Sequence, residues 1–185
     1  MNLDLINDES LKLSTSRLNI SLMSADNFEE FRLLQTDKEL MKDIGAILSE
    51  QEIIDKFNDR IRAWTKDEGH WLTLAMHCNS TNEFIGSIGF NIKSIDYQSA
   101  EIGYLTLSKF QGKGYITEAG RSLIDFLFST VKVRKIVAYC TTRNSGSWRV
   151  MEKLDLKREG LLKSDVCIGN TWFDSYVYGY VNPYL

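Results

Sequence analysis

The chain has 185 residues, 43% of them hydrophobic, with a formal net charge of −3 and three cysteines, Cys78, Cys140 and Cys167. That length supports one well-filled core and is short for two, so a single domain over residues 1–185 is expected, with no basic footprint for nucleic acid. The cysteines are odd in number and too far apart for a metal knuckle, the acidic Met1–Glu9 stretch lacks the form of an export signal, and no segment approaches the ~20 apolar residues of a membrane span. A cytoplasmic protein with reduced thiols, no metal and no membrane partner is therefore expected.

In chain order, Arg17–Leu22 reads as a first strand. Ser24-Ala25-Asp26 then opens a helix through Phe28, Phe31, Leu33 and Leu34, whose apolar spacing is helical. Glu50–Lys66 is a second helical stretch carrying Ile53, Ile54, Phe57, Ile61 and Trp64. Trp71–Cys78 and Glu83–Ile92 read as strands joined by a hairpin turn at Asn79-Ser80-Thr81-Asn82, and Asp96-Tyr97-Gln98 precedes a strand at Ala100–Leu107. A helix over Tyr115–Thr130 follows, then a strand at Lys135–Cys140, a short helix at Ser147–Leu154, and a final antiparallel pair, Leu161–Ile168 with Phe173–Val181. The predicted fold is a mixed α/β domain, mostly antiparallel, with its sheet flanked by helices.

The most informative stretch is Gln111-Gly112-Lys113-Gly114-Tyr115-Ile116-Thr117-Glu118-Ala119, at a strand-to-helix junction. Backbone N–H groups and the positive end of the helix dipole favour an anion such as a pyrophosphate there, and glycine lets backbone and phosphate meet. The third glycine of a dinucleotide fingerprint is missing, and no P-loop is spelled anywhere. Glycines also terminate strands and cap helices for structural reasons, so the turn needs its neighbours to give it meaning.

Those neighbours resemble the GCN5-related N-acetyltransferases, and within them the RimJ/RimL-like branch. Ala100-Glu101-Ile102-Gly103-Tyr104 leads into Gly112-Lys113-Gly114-Tyr115-Ile116-Thr117-Glu118-Ala119, and Asn144-Ser145-Gly146-Ser147, Met151-Glu152-Lys153-Leu154 and Arg158-Glu159-Gly160 continue the family's progression. Thr15-Ser16-Arg17-Leu18 and Phe84–Phe90 extend the resemblance upstream. Ile116, Ser21, and Asp155-Leu156 in place of the usual Gly-Phe depart from the pattern. The resemblance implies a central sheet with a splayed strand pair, acetyl-CoA as cosubstrate, and direct attack of an amine on the thioester without a covalent enzyme intermediate. It also implies an acceptor that is the N-terminal amine of a ribosomal protein, or else a small amine, and a homodimer. A non-catalytic acyl-CoA-binding module is the rival from another class.

Acetyl transfer requires holding acyl-CoA, deprotonating the amine, stabilising an oxyanion and protonating the departing thiolate. By resemblance, the backbone of Leu105, Thr106 and Leu107 pairs with the pantetheine arm, with the Leu107 N–H polarising the thioester, and Gln111, Gly112, Lys113, Gly114, Tyr115, Ile116 and Thr117 hold the pyrophosphate. Glu101 is the candidate general base, set against an exposed or ion-paired strand-end carboxylate. Asn144 is expected to bind pantetheine, to cap the following helix, or both. Ser147 is the candidate proton donor to the thiolate, set against an ordinary helix-start serine. Trp172 and Asp174, with Phe173, are expected by analogy to shape the acceptor pocket. Glu118 reads as structural, gaining from the helix dipole; Tyr115 and Trp148 read as core or cleft-wall aromatics. His70 and His77 lack the partners of a triad or a zinc site.

Overall fold

The computed structural model describes residues 1–6, 11–67 and 69–185; the acidic Met1–Glu9 stretch lies partly outside them. Its strands are β1 (Lys12–Ser14), β2 (Leu18–Leu22), β3 (Leu72–Cys78), β4 (Phe84–Ser94), β5 (Ser99–Thr106), β6 (Lys135–Thr141), β7 (Lys157–Ile168) and β8 (Thr171–Val181). The helices are α1 (Phe28–Thr36), α2 (Lys38–Met41), α3 (Glu50–Ile61), α4 (Tyr115–Phe126) and α5 (Ser145–Lys153).

Several elements start where local chemistry dictates. Ser24 N–H donates to Asn27 Oδ1, forming a capping box ahead of α1. Ser49 and Glu52 form a second capping box at α3. That helix stops at Ile61 rather than running to Lys66, because Arg62 turns extended and the Trp64 indole N–H donates to His70 O at 3.3 Å, drawing the chain toward the sheet. The sequence pattern marks neither α2 nor β1. Each is a single turn or a few residues, and α2 forms because Asp37 Oδ1 accepts from Glu39 N–H and Leu40 N–H. The helix begun by α4 continues through a π-helical turn, Leu127–Val131, and ends at Lys132 with φ +62°.

The eight strands form one sheet in the order β1-β2-β3-β4-β5-β6-β8-β7. Every neighbouring pair is antiparallel except β5 with β6. From Phe84 to Ile92 every β4 residue is buried, as required of a central strand covered on both faces. The parallel β5–β6 pairing covers only Ser99↔Lys135, Ala100↔Ile136 and Glu101↔Val137. Beyond Glu101, β5 runs on to Thr106 and β6 to Thr141 unpaired with each other, so the sheet opens into a wedge at its centre. The expected splayed pair is therefore present, with its apex at Glu101.

Candidate functional site: the wedge between β5 and β6

The wedge presents backbone polar groups with no strand opposite. At its closed end, Arg134 N–H and Lys135 N–H both donate to Gln98 O; at its open end, Leu107 N–H donates to Ile85 O on β4. Alternation along the strand therefore turns the odd-numbered backbone groups of β5 toward β4, and those of Ile102, Tyr104 and Thr106 toward the gap. This corrects the expectation for Leu105, whose backbone groups face β4, and for Leu107, whose N–H is already used and which is 8% exposed. Thr106 Oγ1 is buried beside the gap without a partner among the described residues, and Thr106 O meets only the Gln111 side chain, at 3.4 Å. Buried polar groups of this kind are ordinarily hydrogen-bonded in folded proteins.

The glycine turn stands at the open end. Gly112 and Gly114 both have positive φ, +73° and +82°, which L side chains seldom adopt. Gly114 is the N-cap of α4 and offers no side-chain cap, so the first-turn N–H groups lack a side-chain acceptor. A Cβ on Gly112 would meet nothing within 4 Å, so the turn lies open to an approaching anion. Glu118 fixes the turn from behind. Its Oε1 accepts from Arg17 N–H at 3.0 Å and from the Thr15 hydroxyl at 2.5 Å, while its Oε2 pairs with Arg17 Nε at 2.6 Å. Burial acts to raise this carboxyl, but the hydrogen bonds from Thr15 and Arg17 outweigh it and hold the group below its ordinary value. Arg17 also donates to Lys113 O and stacks over Tyr115 with 4.5 Å to the ring centroid. Lys113 itself points elsewhere, its Nζ 5.3 Å from the centre of the Phe110 ring.

Two cavities meet at the wedge. One, of about 520 Å³, is lined by Gln111, Gly112, Gly114, Tyr115, Ile116 and Thr117 and, across it, by Asn144, Ser145, Gly146 and Ser147. Arg143, Arg149, Lys153 and Lys42 add positive charge around this cavity, and sequence reasoning misses all four, since nothing in their spacing marks them. The other, of about 350 Å³, lies toward α1 and α3 and includes Glu101, Gly103, Trp71 and Cys140. Tyr104, Leu105, Asn144 and Ser147 border both.

At this junction Asn144 caps α5, its Oδ1 accepting from Ser147 N–H at 3.0 Å. Tyr104, which the sequence marks only as a motif residue, donates its hydroxyl to Ser147 O at 3.0 Å and sits 3.2 Å from Ser147 Oγ. Burial pushes its phenol well above the ordinary range, so it remains a neutral donor. Burial likewise raises the Cys140 thiol to about 11, with a Ser147 hydrogen bond working the other way, which keeps this cavity-lining sulfur a thiol rather than a nucleophile. Glu101, at the apex, has Lys93 Nζ at 3.4 Å and keeps about a fifth of its side chain exposed.

Trp172 and Asp174 line neither cavity. Trp172 is 63% exposed, and the Asp174 carboxylate is taken up by Lys163 Nζ at 2.8 Å and Ser164 N–H at 3.0 Å, where it braces the irregular middle of β7. From the same hairpin Asp165, Val166 and Ser175 line the α1/α3-side cavity instead. A register shift between Leu162 and Val166 changes which residues face inward, and simple alternation in sequence does not reveal it. Among the described residues there is no metal-ligating cluster and no helix long and apolar enough to cross a membrane.

Residues 17–157 match the family described as "Acetyltransferase (GNAT) domain". The chain is 31% identical over 94% of its length to the "Probable N-acetyltransferase YjcK" of Bacillus subtilis, covering 92% of that protein. In structure it is similar to a GNAT-family acetyltransferase from Bacillus anthracis, with a TM-score of 0.80, 28% identity, and coverage of 93% of this chain and 99% of that one. It is also similar in fold to a RimL ribosomal L7/L12 alpha-N-protein acetyltransferase in complex with coenzyme A, with a TM-score of 0.79 at 19% identity over 92% and 98% of the two chains.

Proposed function

The chain belongs to the GNAT acetyltransferase family, and on that premise we propose that it moves the acetyl group of acetyl-CoA onto a primary amine, the N-terminal amine of a ribosomal or other protein, by direct attack. The observation that carries this reading is the wedge, where an unpaired β5 edge, an uncapped α4 N-terminus and two joined cavities converge on Glu101 and Ser147.

The residues present fit acetyl-CoA, whose thioester supplies the activated acetyl group. The α4 turn from Gln111 to Thr117 would hold the pyrophosphate, with Arg143, Arg149 and Lys153 near the remaining phosphate charge. Backbone groups of Tyr104 and Thr106 would pair with the pantetheine arm, and Asn144 would close it from α5. Glu101 takes the proton of the incoming ammonium, directly or through water, from the α1/α3-side cavity. Ser147, held by Tyr104, delivers a proton to the departing thiolate, a modest demand because a thiol of pKa ~8.5 leaves readily. A small-molecule acceptor is the second reading, favoured by the limited size of the acceptor-side cavity, about 350 Å³.

The experiment is an acceptor screen with acetyl-CoA, following free CoA and the mass of each acceptor. Acetylated N-terminal peptides formed in step with CoA support the reading. CoA released only with small amines would favour the second reading, and binding without release would make the chain a CoA-binding module.

A further inference from the structure

The acceptor-side cavity ends against α1 and α3 in three side chains that are all donors. Gln35 of α1 is 0% exposed, and Lys56 and Arg60 of α3 stand one turn apart; all three line the cavity. Lys56 Nζ donates to Gln35 Oε1 at 2.9 Å. That contact fixes the amide, because a flip would set its NH2 against an ammonium, so Gln35 Nε2 must present its hydrogens elsewhere. It has no partner among the described residues, and neither does Arg60 NH1. The Arg60 guanidinium stands over the Trp71 ring, 5.1 Å from its centroid, and that ring in turn lies against Gly103.

The surrounding carboxylates do not answer these charges. Asp43 is held by Arg143 Nε at 3.5 Å and Glu101 by Lys93 Nζ at 3.4 Å; Asp165 stands exposed on β7. Asp59 and Glu101 reach Arg60 only through longer-range attraction, and Lys56 feels Arg60 as a repulsive neighbour. Burial lowers the pKa of both cations, and among the described residues no carboxylate forms a salt bridge with either.

We infer that the acceptor carries an anionic group, a carboxylate or phosphate, received by Gln35, Lys56 and Arg60 while its amine faces Glu101. This rests on the acetyl-transfer reading and narrows its substrate class: an N-terminus with an acidic side chain among its first residues, rather than a polycationic amine. Three convergent donors suit a planar carboxylate or a phosphate, and a bidentate contact from Arg60 would orient it.

The test uses the intact protein with acetyl-CoA and a set of peptides that share one N-terminal residue and differ in the next positions by acidic, amide or basic side chains, with phosphoserine peptides and free glutamate as further arms. The acidic or phosphorylated peptides should exceed the amide peptides by about tenfold or more in kcat/KM; the winning arm identifies the anion's source. Arg60→Ala should collapse that ratio toward one, Arg60→Lys should retain part of it, and Gln35→Glu should lower it. Equal rates for acidic and amide peptides, or preference for basic ones, overturns the inference. Calorimetry of acetylated product peptides on the CoA-loaded protein needs no turnover. Tighter binding of the acidic product there, with no acetylation in any arm, would keep the anion subsite and sink the acetyl-transfer reading; equal binding would sink the subsite.

Discussion

Individual residues carry the chemistry, and two tests belong at this scale. Replacing Glu101 with Gln preserves shape but removes the proton acceptor. Turnover should fall about a hundredfold or more below the acceptor amine's own pKa and recover partly above it, while acetyl-CoA affinity measured by calorimetry stays nearly constant. A flat loss at every pH would show that Glu101 positions rather than deprotonates. Ser147→Ala should slow turnover with acetyl-CoA, and the deficit should shrink with a thioester whose thiol is more acidic. Equal deficits would leave Ser147 as a member of the α5 cap and no more. At this scale the sequence is legible where a residue acts on its immediate neighbours. Asn144 is readable as a cap from its place before α5, and it accepts from Ser147 N–H. Tyr104 is readable as part of a motif but not as the partner of Ser147, because that contact joins a strand to a helix 43 residues away.

At the scale of elements, one departure from the resembled pattern has a structural cost. Asp155, in place of the glycine of that pattern, follows α5 with φ +68°. Its approach to Arg121, 3.9 Å with both side chains well exposed, returns little. Asp155→Gly should therefore stabilise the protein by about 0.5–1 kcal/mol, seen as a rise in Tm of about 2 °C; a fall would mean that the Arg121 contact matters more than the backbone. The tie between the β1–β2 turn and α4 has the opposite character. The Glu118 carboxyl is held below its ordinary value, so its stabilisation is present above the ordinary glutamate range and is lost as pH falls through and below it. Glu118→Gln should cost about 1–3 kcal/mol at neutral pH, with the gap to the parent closing in acid, as urea titrations at several pH values would reveal. The reading of Glu118 as structural agrees with this placement. Helix and strand positions are legible from period and caps, whereas β1 and α2 are not, since three or four residues carry too little pattern to read.

At the scale of the whole molecule, the proposed function rests on one interruption of the sheet. Pairing of β5 with β6 ends at Glu101↔Val137, and the residues assigned to the proposed reaction line the opening. The wedge is legible from resemblance rather than from periodicity, because two strands that part company look in sequence like two strands that pair. The cluster of Gln35, Lys56 and Arg60 has no sequence signal, since α1 and α3 bring it together only after folding. The glycine turn tests the phosphate end. With φ +82° at Gly114, even Gly114→Ala adds backbone strain, so stability should drop by about 1 kcal/mol alongside a larger loss in acetyl-CoA affinity. Affinity unchanged in the folded variant would remove the turn from the site. The most direct measurement of the central claim is a stoichiometry: free CoA and N-terminally acetylated peptide followed together in one reaction of the intact protein. Equal amounts of the two, rising in parallel and absent without enzyme, are predicted; acetyl-CoA bound in the presence of acceptor peptides with neither product formed would contradict the account.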